Sequence, residues 1–139
     1  MPIHVDITSQ DRCVFSGDAD MVIVPGTAGE MGILPHHSPL LSTLKMGVVT
    51  VKTREGEQVF TVAGGVVEVM PDSVIILADA AENVQEIDSQ RAEAARKRAE
   101  ELLSKTIPQD ADTILALEAA LRRSNLRLDA VRKYKKSQK

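Results

Sequence analysis

The sequence predicts a mainly β protein with an α-helical tail: an N-terminal antiparallel β-sandwich, or flattened barrel, followed by a C-terminal antiparallel α-helical hairpin. Three observations predict it. All eight glycines and five of the six prolines lie before residue 72, where they punctuate short elements as turn residues. Apolar residues in that half recur with a period of two, as strands with one buried face require. After residue 85 there is no glycine, and the apolar period lengthens to about 3.5, which belongs to packed helices. The change of pattern places one domain at 1–84 and a second at 85–139.

The first element alternates Ile3, Val5 and Ile7 with His4, Asp6 and Thr8. Apolar runs follow at 21–24, 48–52, 59–62, 66–70 and 74–78. Turn signals separate them: Ser16-Gly17-Asp18, Pro25-Gly26, Lys45-Met46-Gly47, Arg54-Glu55-Gly56, Gly64-Gly65 and Pro71-Asp72. Several short strands at regular spacing, with no helical pattern between them, predict antiparallel pairing rather than a parallel α/β sheet.

In the second half Asp88 is placed to N-cap a helix near 88–105, its carboxylate accepting free backbone N–H groups. Ala92, Ala95, Ala99 and Leu102 then fall on one stripe. Pro108 breaks the pattern, and Asp110 or Asp112 can cap a second helix near 113–135. There Ile114, Leu117, Leu121, Ser124, Leu128 and Val131 repeat at spacings of three and four, the a/d seam of a helix pair. At 1.5 Å per residue the second helix is about 35 Å long. So narrow a stripe on so long a helix buries little, and the hairpin is a candidate for movement.

Composition narrows the function. Only Phe15, Phe60 and Tyr134 are aromatic, so the core is aliphatic. A single cysteine, Cys13, excludes an intrachain disulfide and favours a reducing compartment. No basic stretch precedes an apolar run at the N-terminus, so no secretory signal is expected. The apolar runs are far shorter than the roughly 20 residues that cross a bilayer, so direct membrane insertion is not expected. Charge is split. Residues 1–84 carry four Lys/Arg against eleven Asp/Glu, and residues 85–139 carry thirteen against nine. Within 119–139 only Asp129 opposes eight basic residues, so the two halves present different surfaces to different partners. Nucleic acid is not an expected partner, because the whole chain is acidic and Tyr134 is the only aromatic near the basic tail.

Catalytic patterns are missing. The sequence has no G-x-x-x-x-G-K-[ST] loop to cradle phosphates. Cys13 sits in no recognisable Cys/His arrangement. His36 and His37 are adjacent, so their side chains diverge, and with His4 as the third imidazole no zinc site is expected. No catalytic residue, metal site or required cofactor is predicted. Besides an interaction subunit, two other classes fit a sandwich with a helical tail. One is a standalone small nucleotide-binding sensor. The other is a small β-sandwich enzyme, which would need a pocket with clustered titratable groups.

Residues 29–41 carry more information. Gly29-Glu30-Met31-Gly32-Ile33-Leu34-Pro35-His36-His37-Ser38-Pro39-Leu40-Leu41 holds two glycines and two prolines, which shape a tight loop between strands. Without a partner it reads as a structured surface loop. The segment resembles the signature Gly-Glu-x-Gly-Ile-x-Pro-x-His-x-Pro-Leu-Leu of the epsilon subunits of rotary proton-translocating ATP synthases. Three further matches follow in register: Gly64-Gly65-Val66-Val67-Glu68-Val69, Leu77-Ala78-Asp79-Ala80 and Ile87-Asp88-Ser89-Gln90-Arg91-Ala92. The resemblance covers essentially the whole chain.

That resemblance implies a non-catalytic central-stalk subunit whose sandwich binds the gamma subunit and rests on the c ring. Glu30, Gly32 and Leu34 would then face the ring, and His37 would lie near gamma. The hairpin would either fold against the sandwich or extend along gamma into the alpha/beta catalytic head. There its basic end would meet an acidic surface of the beta subunits and inhibit ATP hydrolysis. The implied location is the cytoplasmic face of the bacterial inner membrane, as a peripheral part of the complex. Some members bind ATP as a regulatory ligand through a motif Ile/Leu-Asp-x-x-Arg-Ala, which Ile87, Asp88, Arg91 and Ala92 match. Arg91 and Arg98 share one helix flank by spacing, and Arg123 and Arg127 share another. On the resemblance these four would hold a triphosphate, with Glu82 and Asp88 accepting from the adenosine.

Overall fold

The computed structural model describes residues 2–105 and 110–135; the expected break at Pro108 lies outside them. The chain divides into two compact units, residues 1–83 and 84–139.

The first unit contains eight strands: β1 (Ile3–Thr8), β2 (Cys13–Ala19), β3 (Met21–Gly26), β4 (Gly29–Ile33), β5 (Leu40–Thr53), β6 (Gly56–Val69), β7 (Ser73–Ala78) and β8 (Ala81–Asn83). Along β1 the apolar residues Ile3, Val5 and Ile7 are buried while His4 is exposed, because successive side chains point to opposite faces. The order across the sheet is β2-β1-β7-β6-β5-β3-β4, with β8 also paired to β6. One core cluster draws on seven strands, with Ile3, Ala19, Val22, Ile33, Phe60 and Val74 among its members. The sheet therefore folds over itself as a sandwich around one aliphatic core. Phe60 is its one fully buried ring, with Phe15 5.6 Å away between centroids. Burying each Val, Leu or Ile is worth about 1.5–3 kcal/mol.

Three expected turns lie inside strands. Ser16-Gly17-Asp18 falls within β2, Lys45-Met46-Gly47 within β5 and Gly64-Gly65 within β6. β5 and β6 form one long hairpin whose register is unbroken from Leu40↔Val69 to Thr53↔Gly56. The glycine pair bends β6 instead of reversing it. Before the pair, Phe60 to Val62 pair with β8; after it, Gly65 to Val69 pair with β7. Gly64 and Gly65 have φ of 97° and 135°, and a Cβ on Gly65 would collide with the Leu77 carbonyl oxygen. Only glycine lets the two backbones approach so closely. One pairing is not antiparallel: β1 runs parallel to β7, joined through the rest of the sheet with no crossover helix. The segment expected as a loop at 29–41 is an edge strand, β4, then a short loop in which His36 takes a φ of 67°, then the start of β5.

The second unit opens with a 3₁₀ turn, Val84–Glu86, and continues with α1 (Ser89–Ser104) and α2 (Ala111–Tyr134). Asp88 caps α1, its Oδ1 accepting from the N–H groups of Gln90 and Arg91 at 3.0 and 3.1 Å. Asp110, not Asp112, caps α2 by accepting from Thr113 N–H at 2.7 Å. The helix thus begins two residues earlier than expected. Hydrogen bonding from Thr113 also holds the Asp110 carboxyl below its ordinary pKa, as an N-cap should.

The helices pack on small residues: Ala92 and Ala99 of α1 and Ser124 of α2 are buried on the seam, while Ala130, also buried, lies off that stripe. Leu117, Leu121, Leu128 and Val131 are half-buried, as the seam predicts. Ile114 departs from it and is exposed. The end of α2 lies beside the start of α1, because Lys135 Nζ donates to the Ile87 carbonyl at 2.8 Å. With 24 residues against 16, α2 overhangs the far end of α1, and Ile114 lies on that overhang.

Candidate functional site

Glu30 and Gly32 lie on β4, an edge strand, two residues apart and so on the same side of it. Both are exposed. Leu34, just past the strand, is 55% exposed. His37 is half-buried, and its Nδ1 lies 2.7 Å from the Ser38 carbonyl oxygen, to which it donates. Glu30, Gly32 and Leu34 therefore form one accessible edge, while His37 is engaged with its own loop.

The sequence reading missed a second surface. On the outward side of the sandwich Val66 stands opposite Leu77 across the β6–β7 pair, and Leu77 is 56% exposed. Leu41, 69% exposed, faces Glu68 on the same side. Next to it Pro39, Leu40, Leu41, Val69 and Met70 line a cleft of about 470 Å³. Exposed apolar side chains clustered on one sheet face mark an interaction surface. The available signal was β7, where Ile75 and Leu77 make the outward positions as apolar as the inward Val74 and Ile76.

In the second unit Ile87 and Ala92 are buried. Within the Ile-Asp-x-x-Arg-Ala motif they pack, and so seat Asp88 and Arg91. Arg91, Arg98 and Arg123 are exposed and Arg127 is half-buried. Leu128 shares a cleft with Gln90, Glu93, Ala94 and Lys97, which fixes one side of the antiparallel pair. At 100° per residue, Arg91 and Arg98 fall on the opposite flank of α1. Arg123 and Arg127 likewise fall on the flank of α2 away from Leu128. The four arginines thus share the other side of the pair. Among the described residues, Arg91, Arg98 and Arg123 have no ion-pair partner, whereas Arg96 is held by Glu93 and Glu100. The Arg96 hydrogen bond pulls the Glu93 carboxyl below its ordinary pKa. Glu82 is a half-buried residue of β8, in the first unit.

One polar cluster had no sequence signal. Register brings His4 opposite Asp18, and Asp6 opposite Ser16, on the outward face of β1–β2. His4 Nδ1 lies 3.2 Å from Asp18, and its Nε2 lies 3.3 Å from Asp6 and 3.4 Å from Ser16 Oγ. Ser16, His4 and Asp18 have the order of a hydrolytic triad. Ser16, however, donates its proton to Asp6 at 2.6 Å instead of to the imidazole a nucleophile needs. The cluster is a cross-strand hydrogen-bond network that becomes an ion pair when His4 is protonated. The Asp18 hydrogen bond, reinforced by Asp6, raises the His4 pKa above its ordinary value. Among the described residues no group of three or more His, Cys, Asp or Glu is placed to hold a metal ion. No helix among them is long and apolar enough to cross a membrane.

Comparison with known proteins decides the family. Residues 2–84 match ATP synthase, Delta/Epsilon chain, beta-sandwich domain, and residues 85–132 match ATP synthase, Delta/Epsilon chain, long alpha-helix domain. The chain belongs to the ATP synthase epsilon family. It is 46% identical over 120 residues to an ATP synthase epsilon chain of Bordetella avium, covering 86% of this chain and 84% of that one. An epsilon chain of Dehalococcoides mccartyi is 44% identical over 137 residues, with 96% and 95% covered. One of Bacillus licheniformis is 45% identical over 130 residues, with 94% and 98% covered. The fold also matches a chain in the structure of the Euglena gracilis mitochondrial ATP synthase, OSCP/F1/c-ring. There the TM-score is 0.76 at 23% identity, over 93% of this chain and 80% of that one. The family is one of non-catalytic subunits, in agreement with a sequence that carries no catalytic pattern.

Proposed function

We propose that the chain acts in the central stalk of a rotary ATP synthase, joining the gamma subunit to the c ring without taking part in the chemistry. The observation that carries this reading is the exposed apolar face of the sandwich, Leu41, Val66 and Leu77. A family member needs such a face for a partner subunit, because burying it offsets the entropy of docking. Glu30, Gly32 and Leu34 on the β4 edge are the residues for the c ring, and His37 lies on the loop toward gamma. The complex holds the chain at the cytoplasmic face of the bacterial inner membrane. Purification of the tagged chain should recover gamma, and Leu77→Glu should abolish that recovery; an unchanged yield of gamma removes the apolar face from the interface. Glu30→Lys should lower coupling of proton flow to synthesis in the reconstituted enzyme.

The hairpin is the regulatory part. Its seam buries only Ala92, Ala99 and Ser124 fully and leaves its leucines half-buried. It therefore separates at modest cost, and α1 and α2 can leave each other and extend into the alpha/beta head, where the basic end of α2 inhibits hydrolysis. ATP binds the folded pair through Arg91, Arg98, Arg123 and Arg127, with Asp88 Oδ2 as an acceptor for the adenosine. Support comes from the shared side of the four arginines and from the absence, among the described residues, of carboxylates neutralising Arg91, Arg98 and Arg123. Guanidinium forks without partners suit a polyphosphate. A ligand that needs both helices favours the folded form by its differential affinity alone.

A further inference from the structure

We propose that the linker between the two units is a latch for the C-terminal end of α2, distinct from the helix seam and from any ligand. Two hydrogen bonds cross between the same pair of segments in opposite directions. Gln85, in the 3₁₀ turn, donates from Nε2 to the Tyr134 carbonyl at 3.3 Å. Lys135, the C-cap of α2, donates from Nζ to the Ile87 carbonyl at 2.8 Å. The pairs are 49 and 48 residues apart in sequence.

Each bond answers a local need. The last four carbonyls of a helix have no partner within it, and Gln85 satisfies that of Tyr134. The linker, for its part, is anchored. Val84 and Ile87 are buried, and Ile87 N–H donates to the Val84 carbonyl to close the turn at 3.2 Å. That closure fixes the Ile87 carbonyl, the atom directly before the Asp88 cap, as a rigid acceptor for a cation. Lys135 is half-buried there, so its charge-assisted bond is less screened than one on an open surface. The other end of α2 is the opposite case: residues 111–116 are all exposed. α2 is therefore fastened at its C-terminal end, the end that the chain does not otherwise tie to α1.

The latch goes beyond the proposed function, since it needs no nucleotide and no other subunit. Its test is amide hydrogen exchange on the full chain alone, without ATP, comparing wild type with Lys135→Met, Gln85→Leu and the double variant. Lys135→Met keeps the aliphatic stem and removes the donor. Exchange in residues 128–134 should accelerate about fivefold, the factor one net hydrogen bond represents, while amides of the sandwich core stay unchanged as the internal reference. The double variant should gain less than the product of the two singles, because both bonds fasten the same two segments. Wild-type exchange at 128–134 in both Lys135→Met and the double variant overturns the latch. Loss of ATP binding or of gamma binding in other experiments does not touch this readout.

Discussion

The sandwich and the helical pair spend their apolar residues differently. In the sandwich Phe60, Ile3, Ile7, Ile33 and Ile76 are fully enclosed, and long strands pair along their whole length. In the helical pair the fully buried seam residues are Ala92, Ala99 and Ser124. Alanine permits close approach but removes little apolar surface from water, and burial scales with area. Helices of this kind are held by caps, by a few polar bonds and by whatever they touch. The sandwich is thus a platform that holds its own shape, and the helices are a part that the same chain can rearrange.

The largest effects belong to the platform. Phe60→Ala should cost about 3–5 kcal/mol, the usual range for emptying a buried aromatic site, read as a lower midpoint of denaturant unfolding. A chain truncated after residue 84 should still melt in one cooperative transition. Coil-like circular dichroism from that fragment would mean that the sandwich depends on the helices, and the contrast would collapse.

Next comes the arginine side of the helical pair. Arg91→Ala should weaken ATP binding about tenfold, the loss expected for one charge-assisted contact, as read by isothermal titration of the isolated chain. The melting of the sandwich should not change. No detectable heat from the wild type at millimolar ATP would remove the nucleotide role and leave the family assignment in place.

Which features were legible in the sequence follows from whether their cause was local. The alternation of Ile3, Val5 and Ile7, the Asp88 cap and the phase of Leu117, Leu121, Ser124 and Leu128 all depend on neighbours a few residues away. Gly64-Gly65 did not yield to local reading, because a glycine pair at positive φ serves a turn and a bend equally well. Only the partners of β6 on either side tell them apart. Strands β2 and β8 have weak alternation and exist because β1 and β6 offer edges to pair with. The outward patch was hidden for a related reason. In β7, apolar on both faces, periodicity cannot say which face meets solvent. The arginines could be placed on their flanks from spacing alone, but that the two flanks share a side depended on the antiparallel direction of the helices.

A smaller effect separates the two roles of Asp88. Asp88→Ala removes the cap of α1 and should cost about 1 kcal/mol of helix stability, seen as lost helical circular dichroism or faster exchange in the first turn. Asp88→Asn keeps a good capping side chain and removes the charge, so the helix should hold. If ATP affinity falls in Asp88→Asn with the helix intact, the carboxylate serves the ligand; if affinity follows the helix content alone, Asp88 is only a cap.

The smallest effect is expected on the sandwich surface, where His4 ties β1 to β2. Its pKa is raised by hydrogen bonding to Asp18 and by the nearby Asp6, so the folded state binds the proton more tightly than the unfolded chain. Linkage sets the sign. The contribution is fully present below the unfolded pKa of about 6.5 and is lost as pH rises through the higher folded value. Across the other neighbour, β7, His4 faces the uncharged Ser73. With the His4 side chain 46% exposed, water screens the network and the effect is slight. The wild-type melting temperature should be higher near pH 6 than near pH 8 by a margin that shrinks in His4→Gln, which removes the titrating group. Asp18→Asn should shrink it too and return the His4 pKa toward its ordinary value in an NMR titration. An unchanged His4 titration in Asp18→Asn would show that the cross-strand pair does not form in solution.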